Sequence, residues 1–317
     1  MTDFKYTLLE VAKKCNNVSD VGELYSSGEY YRLFADNGAL AGIVKHSDVM
    51  PLEEECVEQN KQQPVFAFDH KEKTICFNKA YKTEPQRSAA LAGVLNELRV
   101  KDKWPGLRKW RNELYPICKG EANSPSAMVE RASSYSLGIR AFGVHINGYV
   151  RPTDGDGQLK MWIGKRSATK QTWPGFLDNM VAGGISNGDG AFASVIKECE
   201  EEAGLSADFV SSRARSAGTI QYLFSSKLGM KPETQYVYDI EMPADVVPRP
   251  SDGEVEEFYL LPIDKVLEKV RAGQFKPNCA LCIIDFLIRH GIVTAENEPD
   301  YLEIIDNIHA RLPFPGV

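Results

Sequence analysis

Residues 181–210 read VAGGISNGDGAFASVIKECEEEAGLSADFV. They combine a glycine pair, a short polar turn and four glutamates within five positions. Apolar residues recur three and four positions apart, so the spacing predicts an amphipathic helix over residues 191–203. Its apolar face consists of Phe192, Val195, Ile196, Cys199 and Ala203. Asn187 or Asp189 is expected to cap the start of this helix, and Gly204 is expected to end it.

Three of the glutamates share one edge of the predicted helix. Glu198, Glu201 and Glu202 stand at positions i, i+3 and i+4, whereas Glu200 points elsewhere. Like charges at this spacing destabilise an isolated helix, and the helix dipole disfavours them near its C-terminal end. A hard divalent cation would remove both penalties, because Mg²⁺ prefers carboxylate oxygens together with water and phosphate. The alternative is a solvated acidic face, the usual role of a charge run.

The surroundings of these glutamates resemble the Nudix box. That signature is a glycine, five residues, a glutamate, seven residues and then Arg-Glu-aliphatic-x-Glu-Glu-x-Gly-aliphatic. Gly183, Asp189 and residues 197–205 match its spacing, with Asp189 in place of glutamate, Lys197 in place of arginine and Cys199 in place of an aliphatic residue. In the family the glutamate and the arginine brace the loop against the helix. Asp189 and Lys197 are expected to form a similar but looser pair, because lysine lacks the arginine fork.

The resemblance implies a metal site and a catalytic base. Glu198, Glu201 and Glu202 would bind Mg²⁺ or Mn²⁺, with the backbone carbonyl of Gly183 as a further ligand. Glu201 is the expected general base, with Glu254 in a later loop as the runner-up. The reaction implied is attack of water on a phosphorus atom of a small-molecule diphosphate.

Several segments outside the box resemble one group within the family. The group comprises fungal, plant and bacterial Nudix proteins with an extra N-terminal domain of unknown function, and it is similar to the Nudix half of fungal thiamine pyrophosphokinase fusion proteins. The matching segments are 110–115, 142–149, 162–167, 170, 172–175, 177–179 and 252–258. The resemblance implies that the substrate is thiamine diphosphate or its damaged oxo- and oxy- analogues, which would be hydrolysed to the monophosphate and phosphate.

Five further side chains are candidates for binding the substrate. Lys165 and Arg166 end a predicted strand, so one of them faces the catalytic side, where it would anchor a diphosphate. Arg111 carries a guanidinium fork that suits phosphate, or else it connects the two domains. Trp173 would stack on a heteroaromatic ring, and Asp178 would hydrogen-bond an aminopyrimidine. The alternatives are a solvated strand end for the lysine–arginine pair and a structural turn for the last two residues.

The composition is that of an ordinary globular protein. Of the 317 residues, 43% are hydrophobic and 26% are charged, and the formal net charge of −7 argues against nucleic-acid binding. No stretch approaches the roughly 18 apolar residues that a membrane span needs. The start lacks an apolar targeting segment, so we expect a cytoplasmic protein without a membrane partner. A homodimer is left open.

The seven cysteines are scattered through the chain and are expected to be free thiols in a reducing compartment. Cys279 and Cys282 form a Cys-x-x-Cys in a predicted buried helix, without a second pair at zinc-site spacing, so we expect them in the core. His145 belongs to an alternating strand and is expected to pack rather than to bind a ligand. Tyr222 and Tyr236 are expected in the core or in a pocket wall.

The order of predicted elements indicates two domains and the α/β class. Residues 1–120 are expected to form a smaller α+β domain of unknown function. Residues 121–317 are expected to form the Nudix domain, which the resemblance implies is an α/β/α sandwich with a mixed sheet. The elements predicted for the first part are a helix within 1–20, strands at 30–36, 40–46, 65–69 and 73–81, a hairpin loop at 70–72 and a helix at 88–104. Those predicted for the second part are a polar linker at 120–133, strands at 139–151, 158–167, 218–225, 235–243 and 254–262, a hairpin loop at 152–157 and helices at 263–273 and 275–291.

Three hypotheses for the function follow. The first is a Mg²⁺-dependent hydrolase of thiamine diphosphate or its damaged analogues. The second is a Nudix hydrolase of a nucleoside diphosphate derivative such as ADP-ribose, since the box itself does not identify the substrate. The third is a non-catalytic module that binds a diphosphate ligand. Isomerisation of a prenyl diphosphate is set aside, because it would need a reactive cysteine and Cys199 lies on the apolar helix face.

Overall fold

The computed structural model describes residues 5–18, 20–120, 124–152, 157–186 and 188–315. The helices are α1 (Leu8–Lys13), α2 (Val21–Ser26), α3 (His46–Gln59), α4 (Glu84–Val100), α5 (Ser134–Leu137), α6 (Ala191–Ala203), α7 (Ala207–Arg213), α8 (Ile263–Arg271), α9 (Pro277–Arg289) and α10 (Tyr301–Ile308). The strands are β1 (Tyr30–Phe34), β2 (Leu40–Lys45), β3 (Phe66–Asp69), β4 (Thr74–Phe77), β5 (Leu114–Ile117), β6 (Ala127–Glu130), β7 (Ala141–Val150), β8 (Lys160–Arg166), β9 (Leu177–Asp178), β10 (Val181–Gly184), β11 (Arg215–Ser226), β12 (Gly229–Glu241) and β13 (Val255–Pro262). None of the helices within these ranges is both long and apolar enough to cross a membrane.

The first half of the chain builds a four-stranded sheet in the order β2-β1-β4-β3. β3 and β4 form the predicted antiparallel hairpin, and β1 and β4 run parallel. Helix α4 begins with a capping box between Thr83 and Gln86, which satisfies backbone donors at its first turn. Its buried face includes the predicted apolar residues Leu91, Val94, Leu95 and Leu98. The predicted α+β organisation of this half is confirmed.

Several elements of this half, among them α2, α3 and β5, were not predicted. No element is predicted for residues 47–59, yet α3 forms there and buries Val49, Leu52 and Cys56, which recur three and four positions apart. The predicted linker at 120–133 is wrong in its second part, because β6 pairs with β5 and is buried along its whole length. The apolar run 127–129 supplies the residues that this strand buries.

The second half contains a mixed sheet in the order β11-β12-β7-β8-β13, with β10 beside β7 and β9 beside β8. β12 and β7 are parallel, and the other neighbours are antiparallel. β7 is central, and all of its residues are buried. The five predicted strands of this half are confirmed, while residues 153–156 of the predicted hairpin loop lie outside the described residues.

Helices cover both faces of this sheet. α6 and α7 pack on one face through a core that includes Val195 and Val210. α8, α9 and α10 pack on the other face through a core that includes Val237 and Leu281. The arrangement is the predicted α/β/α sandwich.

The hydrophobic cores do not separate the chain into two domains at a single residue. The core of the N-terminal sheet contains Tyr115 and Ile117, and it continues through Val129 to Ala141. Helix α1, which confirms the predicted first helix over a shorter range, instead packs in the core of α9 and α10 through Leu8 and the residues that follow it. The first helix of the chain therefore stabilises the second sheet.

Candidate active site

The acidic helix α6 occupies the predicted range. Gly204 ends it in the left-handed conformation at φ 63°, as predicted. The predicted cap at its start is wrong for Asp189, because Gly190 occupies the cap position without a side-chain hydrogen bond. Asn187, the other predicted cap, lies outside the described residues.

The two faces of α6 differ slightly from prediction. Phe192 is 40% exposed, so the buried apolar face begins with Val195 rather than with Phe192. Asp189 and Lys197 form no ion pair in the part of the chain that the structure describes, so the expected looser brace is wrong. The helix is held instead by its apolar face on the sheet and by contacts of its acidic side chains.

Two carboxylates of α6 lie against β10. A Cβ added to Gly183 would lie 2.5 Å from Cγ of Glu198 and closer still to its carboxyl carbon, so glycine leaves the space that this carboxylate occupies. Glu202 is only 7% exposed, and it accepts a hydrogen bond from the backbone N–H of Ala182 at 3.0 Å. Glu200 points elsewhere, as predicted, and accepts from a backbone N–H at the start of α7.

The loop before β13 is fixed to the C-terminal end of α6. The backbone N–H of Arg249 donates to the carbonyl of Ala203 at 2.8 Å. The hydroxyl of Ser251 donates to the carbonyl of Glu201. These bonds satisfy carbonyls that the end of a helix leaves unpaired, and they hold the next residues of the loop beside the helix carboxylates.

This loop contributes two further acids to the site. The backbone N–H of Glu254 donates to the carboxylate of Asp252 at 2.8 Å, which forms a tight turn. Carboxylate oxygens of Glu202, Asp252 and Glu254 lie within 4.8 Å of one another, and Glu254 is also paired with Lys170. Asp252 is absent from the predicted ligands, although its position two residues before Glu254 was a signal in the sequence.

The carboxylates disfavour one another's charge. Burial and then the charge of Glu201 raise the pKa of Glu198 to about 7. Burial and then the charge of Asp178 raise the pKa of Glu202 well above its ordinary value. A bound cation would reverse this effect, because opposite charge favours the ionised form.

The donors fit a hard divalent cation. Glu198, Glu202, Asp252 and Glu254 offer only carboxylate oxygens, and Glu198 lies against Gly183 of β10. Oxygen-only donor sets suit Mg²⁺ and Mn²⁺ rather than softer metals. The structure brings Glu198, Glu202 and Gly183 together, and the exposed Glu201 belongs to the same helix edge.

Arg166 and Asp178 form a buried ion pair with N···O of 2.7 Å. The other guanidinium nitrogens of Arg166 donate to the carbonyls of Thr172 and Trp173, at 3.0 and 3.1 Å. All three nitrogens therefore have partners within the protein, and this arginine fixes the turn that precedes β9. Burial raises the pKa of Asp178, but Lys276 and Arg166 outweigh it and lower the value to about 2.

The remaining predicted substrate residues, within the described part of the chain, show no hydrogen bond or ion pair to the carboxylates of the candidate site. Lys165 pairs with Glu256 at 2.8 Å and lines a surface cleft of about 540 Å³ that contains none of the acids of α6. Trp173 is 43% exposed and packs its ring edge against Phe176. The backbone N–H of Arg111 donates to a carboxylate in β6, and its side chain forms no ion pair within the described ranges.

A second group with metal-binding side chains is an internal hydrogen-bond network. Donor atoms of His145, Asp178 and Cys279 lie within 4.8 Å of one another, and all three residues are buried. The thiol of Cys279 donates to Asp178 at 2.6 Å, and Nδ1 of His145 pairs with Oδ1 of Asn179 at 2.8 Å. Burial, with Lys276 nearby, lowers the pKa of His145 to about 4, so the ring is neutral. The expected packing roles of His145 and Cys279 are confirmed.

Two family models match this chain. The description of the first is "Domain of unknown function (DUF4743)", over residues 7–141, and that of the second is "NUDIX domain", over residues 145–280. The fold and the acidic helix thus define a Nudix domain.

Three curated relatives are similar over most of the chain. "Uncharacterized protein YJR142W" of Saccharomyces cerevisiae is 36% identical over 92% of this chain and 86% of its own length. "Nudix hydrolase 20, chloroplastic" of Arabidopsis thaliana is 41% identical over 75% of this chain and 62% of its own length. "Nudix hydrolase 24, chloroplastic" of the same plant is 39% identical over 76% of this chain and 64% of its own length, so the match spans less than two thirds of each plant protein. Among solved structures, DR0079 from Deinococcus radiodurans shares 21% identity over 45% of this chain and 80% of its own, at a TM-score of 0.34.

The chain belongs to the Nudix hydrolase family, and within it the Nudix domain follows a DUF4743 domain. Nudix enzymes act on diphosphate compounds and generally use divalent metals, in agreement with the oxygen donors gathered at α6.

Proposed function

We propose that the chain hydrolyses a phosphoanhydride bond of thiamine diphosphate, or of its oxo- and oxy- analogues, with Mg²⁺ or Mn²⁺ at α6. The observation that carries the proposal is the meeting of the α6 carboxylate Glu202 with Asp252 and Glu254 of a distant loop, whose charges also act on Glu198. Burial and neighbouring carboxylates raise the pKa of Glu198 and Glu202, and the natural counterpart of such a group of acids is a divalent cation with bound phosphate.

Different side chains have different roles in the proposed reaction. Glu198, Glu202, Asp252 and Glu254 would hold the ion, which neutralises charge on the phosphoryl oxygens and acidifies a bound water when present. Glu201 is exposed to solvent and accepts the proton of the attacking water. As the water oxygen bonds to phosphorus, the bond from phosphorus to the bridging oxygen breaks, and the products are the monophosphate and phosphate.

Glu254 is the weaker candidate for the base. Its carboxylate is already paired with Lys170, and it lies in the cluster with Glu202 and Asp252. A carboxylate that is held by a cation on one side and a metal on the other has less freedom to accept a proton. Glu201 has no such partner among the residues that the structure describes.

The choice of thiamine compounds rests on the sequence outside the acidic helix. Segments 110–115, 142–149 and 252–258 resemble the group of Nudix proteins that hydrolyse such compounds. Segments 142–149 and 252–258 form β7 and the metal-site loop, and segment 110–115 leads into β5. The likeness therefore includes residues that surround the site as well as the signature itself.

The test is phosphate release by the full chain with Mg²⁺ from thiamine diphosphate, oxothiamine diphosphate, oxythiamine diphosphate and ADP-ribose. Glu198→Gln should abolish release, whereas Glu200→Gln, the same change off the catalytic edge, should preserve it. Preference for ADP-ribose would refute the thiamine assignment. Release from none of the four would favour a non-catalytic module.

A further inference from the structure

Two side chains of the DUF4743 domain reach the strand that carries the metal-site glycine. A Cβ added to Gly184 would lie 2.9 Å from the hydroxyl of Tyr115 and 3.5 Å from a terminal nitrogen of Arg131. Neighbouring residues of a strand point to opposite faces. Gly183 faces Glu198, so Gly184 faces the other side of the sheet, and the DUF4743 domain meets the site from there.

The hydroxyl of Tyr115 has no hydrogen-bond partner among the residues that the structure describes. The residue is only 7% exposed, and its ring belongs to the core of the N-terminal sheet. The hydroxyl oxygen retains accessible surface, so a hydroxyl that a buried ring holds in place can bond to a ligand there.

Arg131 is fixed in position by one of its nitrogens. Nη1 donates to the carboxylate of Glu113 at 2.6 Å, and the guanidinium lies 5.1 Å from the centroid of the Tyr115 ring. Its other nitrogens make no hydrogen bond with the residues described, although the side chain is only 33% exposed. An arginine that is oriented at one nitrogen and open at the others can still give two hydrogen bonds to a phosphate.

Two lysines add positive charge on this face of the sheet. Lys231 of β12 pairs with the buried Glu233. Lys276, at the start of α9, makes no hydrogen bond or ion pair through its ammonium group among the described residues. Burial raises the pKa of Tyr115, and Arg131 and Lys231 act in the opposite direction, so these groups share one environment. Glu233 and Glu113 also raise that pKa, so carboxylates balance part of the positive charge on this face.

We infer that Tyr115 and Arg131 form a phosphate-binding subsite that the DUF4743 domain contributes to the Nudix active site. The inference rests on the proposed function, since the ligand is the phosphate group of the organic diphosphate that is not attacked. Gly183 and Gly184 are consecutive residues of β10, and β7 is the strand that pairs with β10 among the described residues. A diphosphate that contacts both the carboxylate-bound ion and this subsite would pass around the edge of β10 that faces away from β7.

Arg111 and Arg131 both belong to the DUF4743 domain. Arg111 is the predicted arginine of this domain, because its guanidinium fork suits phosphate, with a role in connecting the two domains as the alternative. Arg131, twenty residues after Arg111, is the arginine that lies beside Gly184 of β10. It follows β6 directly, and β6 is held there by its pairing with β5. The pairing of β5 with β6 decides which of the two arginines lies beside β10, and this pairing is a tertiary contact rather than a local sequence pattern.

The experiment separates binding from hydrolysis. Binding of inorganic pyrophosphate is measured by calorimetry with EDTA present, for the wild type, Arg131→Gln, Arg131→Lys and Tyr115→Phe. The matched control is Arg108→Gln, an exposed arginine of the same domain that pairs with Asp102. Thermal unfolding of each variant verifies that it is folded.

The wild type should bind pyrophosphate, and Arg131→Gln should weaken binding about 10- to 100-fold, the usual effect of losing a charged hydrogen bond. Tyr115→Phe should weaken it less, Arg131→Lys should restore part of it, and Arg108→Gln should leave it unchanged. In hydrolysis, Arg131→Gln should raise KM more than it lowers kcat. No pyrophosphate binding by the wild type, or equal binding by folded Arg131→Gln, would overturn the inference. Binding without hydrolysis of any organic diphosphate would overturn the proposed function instead.

Discussion

Replacing Gly183 by alanine tests whether the carboxylate of Glu198 must occupy its present position. The added methyl group would lie 2.5 Å from Cγ of Glu198, and ordinary contacts begin at 3.4 Å. The side chain must therefore withdraw from β10 by about 1 Å or more. Because the atoms that clash are the end of a flexible side chain, the helix itself can stay in place.

The expected loss is large for activity and small for stability. A misplacement of about 1 Å in a catalytic group can reduce the rate roughly 100-fold, which corresponds to about 3 kcal/mol in the activation barrier. Alanine also restricts the unfolded chain, which offsets part of any strain by about 0.4–1 kcal/mol. We therefore expect Gly183→Ala to lower kcat/KM about 100-fold while the melting temperature changes by only a few degrees.

The assay is phosphate release from the preferred diphosphate at saturating Mg²⁺, with thermal unfolding in parallel. Gly190→Ala is the matched control, because its added methyl group would meet nothing within 4 Å and its φ of −78° suits alanine. The control should retain activity within about twofold, as expected for a substitution that touches no neighbour. Full activity in Gly183→Ala would refute the role of Glu198, and a collapse of stability would show that the helix moves instead.

Three further outcomes are expected. Glu201→Gln should lower kcat by about 10²- to 10⁴-fold, the usual contribution of a general base, and an unchanged rate would transfer that role to Glu254. Mg²⁺ should bind more tightly as pH rises through about 7, because the ion displaces a proton from Glu198. Burial and Glu201 raise the pKa of that carboxyl to about 7. Calorimetry at pH 6, 7 and 8 measures the affinity, and an affinity that does not change with pH would contradict this prediction. Burial and Lys276 lower the pKa of His145 to about 4, so the unfolded chain binds more protons below pH 6.5. At pH 5, protonation of this histidine in the unfolded chain should lower the free energy of unfolding of the wild type by about 2 kcal/mol relative to neutral pH. Urea unfolding of His145→Gln should not show this pH-dependent loss.

Local spacing was sufficient to predict the catalytic helix. The range of α6, its end at Gly204 and the shared edge of its glutamates follow from residues at most five positions apart, because helix geometry places them on one face. Five of the seven strands of the second sheet were predictable from local runs of apolar residues between turn residues. The first turn of α6 was less predictable, because neither Asp189 nor Phe192 is held by local contacts alone.

The partners of the catalytic helix depend on contacts between distant parts of the chain. Glu202 and Asp252 are fifty residues apart in sequence, and they meet because Arg249 and Ser251 bond to the end of α6. Arg166 has the residue type of a phosphate ligand, but the fold pairs it with Asp178, and no periodicity in the sequence signals that pair.

By itself, the sequence determined the acidic helix and its glutamate edge, the family and many of the other elements, because these depend on neighbours along the chain. The tertiary structure decided which acids complete the metal site, which arginines remain open to a ligand and which sheet the first helix joins. Those outcomes depend on where separate segments pack, and packing is set by burial and hydrogen bonding over the whole molecule rather than by any one stretch.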